Sequence, residues 1–297
     1  MHAAGARSAR ERIGPGNKPD NRLNASKNAR SIVPGVPGAS APGKAAKILP
    51  REKGSSARKG QDEMTELIEG IEQRLQSVRE QLRRADPEGR VELLAVSKTF
   101  PVEAVLIAAL EGQRAFGENY AQEGCGKIDW VRENRPDLAL TWHFIGPLQS
   151  NKTRIVAEHF DWVQTVCREK IAQRLNDQRP QGMPPLNVLV EVNIDGEESK
   201  SGVRPEEVPA LCRFILGLPR LRLRGLMAIP APAGTDEERM KPLAAMRALF
   251  ESVKDEFGLD TLSMGMSADM LQAVRAGSTM VRVGSAIFGH RDYGAKG

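Results

Sequence analysis

Eight short apolar runs alternate with helical stretches between residues 93 and 283, and this alternation is the strongest constraint on what the chain can fold into. The runs cover 93–97, 115–118, 141–145, 162–166, 188–192, 225–228, 261–263 and 280–283. Between them lie helical patterns at 102–111, 120–133, 152–159, 169–178, 205–216, 236–257 and 268–276. In the longest, Met240, Leu243, Met246, Phe250 and Val253 make one face, the three- and four-residue spacing of an amphipathic helix. Asp236 and Ser267 are the expected N-caps of the last two helices. Apolar strands joined by helical crossovers must run parallel. Eight such units in about 230 residues predict a single (β/α)8 TIM-type barrel near the small end of that fold's range. A doubly wound open sheet is the alternative, with fewer strands. Leu67, Ile71, Leu75, Val78 and Leu82 add an extra N-terminal helix, ended at Asp86-Pro87-Glu88-Gly89.

Charge divides the chain at the same place. Residues 1–60 hold 13 Lys/Arg and 3 Asp/Glu, a net +10, whereas the rest holds 30 basic and 35 acidic residues, a net −5. The overall excess of +5 therefore gives no reason to expect nucleic-acid binding by the barrel. Residues 1–62 are rich in Gly, Ala, Ser, Pro, Arg and Lys and carry too little apolar surface to offset their ordering entropy, so a disordered basic tail is expected ahead of a barrel domain at 63–297. Three origins stay open for it: translated upstream sequence with Met64 as the natural start, a basic arm for nucleic acid or membrane, or a transit peptide. No apolar run is long enough for a membrane span, and no secretory leader is expected. Cys125, Cys167 and Cys212 are scattered, with no zinc spacing. A reducing cytoplasm is the expected location, with no metal site.

A barrel places its chemistry at the C-terminal strand ends, with phosphates often bound after strands 7 and 8. Lys98 follows strand 1. Ser263-Met264-Gly265-Met266-Ser267 follows strand 7, and Val283-Gly284-Ser285 follows strand 8. Strands 1 and 8 are neighbours once a barrel closes. An amine facing two turns that offer N–H groups and hydroxyls describes a site for a phosphorylated aldehyde. Pyridoxal 5'-phosphate is the commonest such cofactor, and a partly desolvated lysine at the mouth would close on it as a Schiff base. Arg282 alternates with Val281 and Val283 and faces the interior, where it needs an acceptor or ligand; beside a pyridine nitrogen it would keep that nitrogen unprotonated. Asn119 ends strand 2, within reach of a ring. Plainer readings stand beside these: a surface lysine, helix caps at Asn119 and Ser267, an ordinary turn at Gly284 and Ser285, and a buried salt bridge at Arg282. His143 reads as an acid/base or as a core histidine, and Lys200 as a rival amine or an anion contact.

The motifs together resemble one family. Ala95-Val96-Ser97-Lys98-Thr99, Phe116-Gly117-Glu118-Asn119-Tyr120, the segment from His143 to Lys152, Ser199-Lys200-Ser201-Gly202, Leu226-Met227-Ala228-Ile229-Pro230, Leu262-Ser263-Met264-Gly265-Met266-Ser267 and the segment from Val281 to Gly289 occur in the order found in pyridoxal phosphate homeostasis proteins, once called proline synthetase co-transcribed proteins. The likeness spans 64 to about 293. It implies a barrel like the N-terminal domain of alanine racemase, without that enzyme's second domain. It implies an imine between Lys98 and pyridoxal 5'-phosphate, with Ser267, Gly284 and Ser285 at the phosphate, Arg282 near the pyridine nitrogen and Asn119 near the ring. The family often has Thr at the position of Ser285, which keeps the hydroxyl. The implied role is that of a cytoplasmic, monomeric carrier and buffer of the cofactor, with no catalytic residues, influencing amino-acid and keto-acid balance and supplying pyridoxal-phosphate-dependent apoenzymes. The alternatives are an amino-acid racemase or related enzyme, and a phosphosugar-type barrel with no cofactor. A racemase needs a second acid/base opposite the lysine, and only Tyr120 and Tyr293 are available as tyrosines.

The charge division generates a prediction. A chain beginning at Met64 should keep its melting temperature and its affinity for pyridoxal 5'-phosphate, while losing whatever salt-sensitive binding to heparin the full chain shows. A tenfold or greater loss of cofactor affinity on truncation would show that the tail packs over the mouth.

Overall fold

In the computed structural model the eight predicted runs close into one parallel barrel, with strand order β1 to β8 and β8 paired back to β1. The structure describes residues 56–289 apart from 198–199 and 232–233, with side chains from residue 68 except Glu69. The expectations for the tail and for Tyr293 lie outside the described residues. The strands are β1 (Glu92–Val96), β2 (Ala115–Glu118), β3 (Thr141–Phe144), β4 (Trp162–Val166), β5 (Leu186–Glu191), β6 (Leu221–Met227), β7 (Thr261–Ser263) and β8 (Met280–Val283). Most strand residues are buried, as parallel strands covered on both faces must be. The one large difference from the sequence reading is β6, which starts four residues early. There Leu221 and Leu223 turn inward while the intervening Arg222 is exposed, an alternation that a search for continuous apolar runs passes over.

The helices are α1 (Ser56–Ala85), α2 (Val102–Leu110), α3 (Ala121–Asn134), α4 (Thr153–His159), α5 (Glu169–Gln178), α6 (Val208–Leu216), α7 (Asp236–Phe257), α8 (Met270–Arg275) and α9 (Ser285–Phe288). Two caps differ from expectation. Thr235, not Asp236, caps α7: its hydroxyl accepts from Glu238 N while the Glu238 carboxylate reaches back to Thr235 N at 3.0 Å, a reciprocal capping box. Ser267 does not cap α8, because the chain makes another turn and the helix starts after Asp269. The single turn α9 was not expected from the sequence.

α1 begins ahead of the 62/63 boundary read from the sequence. It lays Ile71, Leu75, Val78 and Leu82 on the outside of the barrel, in contact with α2, α8 and α9. Arg74 Nε donates to Ile287 O at 2.8 Å, so α1 also ties down α9 just beyond the last strand. No helix among the described residues is long and apolar enough to cross a membrane.

Leu75 is fully buried on this face. Leu75→Ala should therefore lower the free energy of unfolding by about 3 kcal/mol in urea titrations, the usual cost of a buried leucine cavity. A loss under about 1 kcal/mol would mean that α1 is a loosely held appendage.

Candidate functional site

Barrel closure sets the geometry of the mouth. β1 pairs with β8 in the register Ala95↔Val283, so the residues that follow, Val96 and Gly284, run side by side. A Cβ on Gly284 would sit 3.2 Å from Val96 O, so glycine permits this close approach. On the other side Arg282 N donates to Gly265 O at 2.9 Å, which carries the Gly265–Ser267 turn along the end of β8. Ser97 N donates to Gly117 O at 3.0 Å, which sets the start of the Lys98 turn beside Asn119. Lys98, Asn119, Ser267, Arg282, Gly284 and Ser285 thus come from four strand ends of one rim.

Their exposure differs from expectation at the lysine. Lys98 is exposed, in the turn that follows the end of β1 at Val96, where partial burial was expected. Ser267 and Ser285 are exposed, and Gly284 is half-buried. Asn119 is half-buried and does not cap α3, since Tyr120 occupies the cap position; Asn119 Oδ1 is buried without a hydrogen-bond partner. Lys200 donates to Asp195 Oδ2 at 2.8 Å, the anion contact anticipated as its plainer reading.

Arg282 is 4% exposed. Its Nη1 donates to Ser263 Oγ at 2.7 Å and its Nη2 to Ala228 O at 2.8 Å. No carboxylate stands within ion-pair distance of it among the described residues; Asp269 and Glu191 act on it only at longer range. The salt-bridge reading is therefore set aside. Burial pushes the guanidinium down to about 10, well above neutrality, so a buried positive charge faces the mouth with only neutral hydrogen-bond acceptors.

The hydrogen bonds below Arg282 have a direction. Arg282 donates to Ser263, Ser263 Oγ donates to Gln164 Oε1 at 2.7 Å, and Gln164 Nε2 donates to His143 Nδ1 at 3.0 Å. This assigns the His143 proton to Nε2, a buried atom with no partner. His143 is wholly buried and stacks on Trp162 at 5.0 Å; burial lowers it to about 3, so it stays neutral. It is a core histidine and no proton carrier at neutral pH.

Two features were missed in the sequence. Glu191 ends β5, two residues after Leu189, which packs inside the barrel with Trp162 and Met227. Strand alternation therefore turns Glu191 to the same interior face, one layer nearer the mouth. Burial raises its carboxyl to about 7, against the pull of Arg282. An acidic residue closing an apolar run was the available signal. The second is a buried cluster around the Lys98 turn. Lys127, on α3, donates to Glu118 Oε1 at 2.7 Å and to Ser97 O at 2.8 Å, and Ser97 Oγ donates to Glu118 Oε1 at 2.6 Å. Burial raises the Glu118 carboxyl, and the Lys127 charge and the Ser97 hydroxyl oppose that rise. Thr99 sits at φ 66°, the left-handed region, which for a β-branched residue costs on the order of 1–3 kcal/mol.

Glu191 carries a pH signature. Its folded-state value lies above the ordinary glutamate range, so its contribution to stability is full at low pH and is lost as pH rises towards about 7. Glu191→Gln cannot ionise. Relative to the unaltered chain, it should gain about 2 kcal/mol in unfolding free energy between about pH 5 and about pH 8 in urea titrations. Parallel pH profiles for the two proteins would show that Glu191 is ionised and solvated in the fold.

Residues 69–292 match the family model of the alanine racemase N-terminal domain. The pyridoxal phosphate homeostasis protein of Vibrio cholerae is 54% identical over 227 residues, covering 76% of this chain and 95% of its own length. That of Pseudomonas aeruginosa is 54% identical over 235 residues, covering 78% and 99%. Among solved structures, PipY of Synechococcus elongatus PCC7942 with PLP bound is 34% identical, with a TM-score of 0.63 over 74% of this chain and all of that one. Alanine racemase from Corynebacterium glutamicum, at 16% identity and a TM-score of 0.58, covers 77% of this chain and 63% of its own and shares the fold alone.

Proposed function

As this chain belongs to the pyridoxal phosphate homeostasis protein family, we propose that it binds pyridoxal 5'-phosphate in the barrel mouth, joined to Lys98 as an imine, and governs the cofactor's availability to apoenzymes. When bound, the cofactor supplies an aldehyde open to a primary amine and a ring able to withdraw electrons. The observation that carries the reading is the mouth itself. A buried guanidinium without an ion pair, an unsatisfied amide oxygen at Asn119 and two exposed hydroxyls share one rim of strand ends with an amine that has no side-chain partner among the described residues. A phosphorylated, polar, aromatic aldehyde fits that donor set.

Each residue has a task on this reading. Lys98 Nζ, as the free base, is the nucleophile. Ser267 and Ser285 donate hydroxyl hydrogen bonds to the phosphate, and Gly284 leaves room for it between β8 and β1. Arg282, pinned by Ser263 and Ala228, holds a positive charge where the ring nitrogen would lie and so disfavours protonation of that nitrogen, which weakens electron withdrawal. Asn119 meets a ring substituent with its free carbonyl oxygen.

The same features support a carrier over a racemase. Racemisation needs an acid/base on the face of the substrate opposite the lysine. Tyr120, the tyrosine that the described residues offer, is 55% exposed. His143 is sealed in the core as a neutral ring. Among the described residues, neither the tyrosine nor this histidine supplies that second group.

Borohydride reduction and peptide mapping test the lysine: the pyridoxyl label should fall on Lys98, and Lys98→Ala should lose the visible imine band while keeping measurable cofactor binding. A label found mainly on Lys200 would overturn the assignment. Ser267→Ala and Ser285→Ala each remove a charge-assisted hydrogen bond, so each should weaken binding of pyridoxal 5'-phosphate about ten- to hundred-fold. Unphosphorylated pyridoxal should be affected far less. Equal losses for both ligands would mean that the serines act through folding.

A further inference from the structure

We propose that Lys127 is the positioning residue of the cofactor lysine: together with Glu118 and Glu123 it clamps the Ser97–Thr99 turn in the conformation that presents Lys98 to the mouth. The inference rests on the reading that Lys98 carries the cofactor. Lys127 stands on α3 and is 6% exposed, and the acceptors of its ammonium group lie outside the set of rim residues. Its three ammonium hydrogens have three acceptors: Ser97 O at 2.8 Å, Glu118 Oε1 at 2.7 Å and Glu123 Oε1 at 2.7 Å. The two carboxylates then reach the turn. Glu118 Oε1 accepts from Ser97 Oγ at 2.6 Å, and Glu123 Oε1 accepts from Thr99 N at 2.6 Å. The residue on each side of Lys98 is therefore fastened to one buried cation, while the Lys98 side chain is left unfastened.

Stability alone gives little reason to bury such a group. A buried carboxylate and ammonium, with a second carboxylate half-buried beside them, recover at best about what they lose on leaving water, and apolar side chains of similar volume would fill the space as well. What the cluster does supply is a fixed geometry. Thr99 is held at φ 66°, a conformation that a β-branched residue keeps only when its surroundings over-determine it; the bond from its N–H to Glu123 is one restraint, beside the turn bond from Phe100 N to Ser97 O at 3.1 Å. Without the clamp, Thr99 would relax to a right-handed or extended conformation. The turn would then swing Lys98 away from Gly284 and Ser285.

The test uses the full chain and two ligands. Pyridoxal 5'-phosphate reports attachment at Lys98, through the visible band and the borohydride label. Pyridoxine 5'-phosphate keeps the ring and phosphate but has no aldehyde, so it reports the cup alone. Lys127→Met should slow attachment about tenfold or more, the scale on which misplaced reacting groups lose rate, while leaving pyridoxine 5'-phosphate affinity unchanged. Adding Thr99→Gly, which adopts the left-handed turn without strain, should restore most of that loss. Glu123→Gln keeps the volume and weakens the charged acceptor that Thr99 N and Lys127 Nζ share. It should slow attachment roughly threefold, and it carries the test if Lys127→Met does not fold. Equal losses for both ligands, or no loss for either, would show that the cluster merely packs α3 and would overturn the inference. A label on another lysine in the unaltered chain would overturn the Lys98 assignment as well, whereas a Lys98 label indifferent to Lys127 and Glu123 would overturn this inference alone.

Discussion

The pairing of β8 with β1 is the interaction on which the site depends. Four residue pairs, from Glu92↔Met280 to Ala95↔Val283, close the sheet on itself and leave it without a free edge. That closure brings residues nearly 190 positions apart in the chain to adjoining places on one rim. It also fixes which strand residues face inward, because alternation along each strand is locked to the register. The outer helices serve the same end. α1 covers the barrel beside α9 and ties down Ile287 through Arg74, so the turn that begins at Ser285 is held from outside the barrel as well as from β8.

Inside the rim the polar groups are arranged in an order that water would not produce. The chain of bonds from Arg282 through Ser263 and Gln164 to His143 crosses the interior from β8 to β3, each group donating to the next. The guanidinium at its head has accepting oxygens but, among the described residues, no paired anion, and Glu191 holds its proton to about neutral pH. The net effect is a mouth with a fixed positive centre in a low-dielectric wall. Such a centre attracts an anionic ligand and resists protonation of a base placed against it.

The lysine and its surroundings divide two requirements between different residues. If Lys98 is the covalent acceptor proposed above, it has to be reached by ligand and then give it up, which an exposed lysine without a side-chain partner among the described residues can do. An exposed side chain on a turn is also poorly aimed. On the inference drawn above, the strain at Thr99 and the buried or half-buried bonds of Lys127, Glu118 and Glu123 supply the aim from behind. Buried ionic groups of this kind fix a conformation more readily than they add stability.

The sequence by itself determined the barrel and the membership of its rim. Eight apolar runs of strand length, spaced by helical patterns, admit few other architectures, and the small-residue turns after strands 7 and 8 mark the strand ends beside Lys98. Local pattern suffices there because strand and helix periodicities are written in consecutive residues. The tertiary structure decided what depends on neighbours from elsewhere in the chain. The early start of β6 rests on which leucines find the core. The caps at Thr235 and Asp269 rest on where each helix can begin against the sheet. Whether Arg282 had an ion pair, whether Lys98 was buried, and whether a mid-helix lysine on α3 was a surface charge or the pin of a turn were all undetermined by spacing. Burial and electrostatics are properties of the surrounding volume, and that volume exists only once β8 has closed on β1.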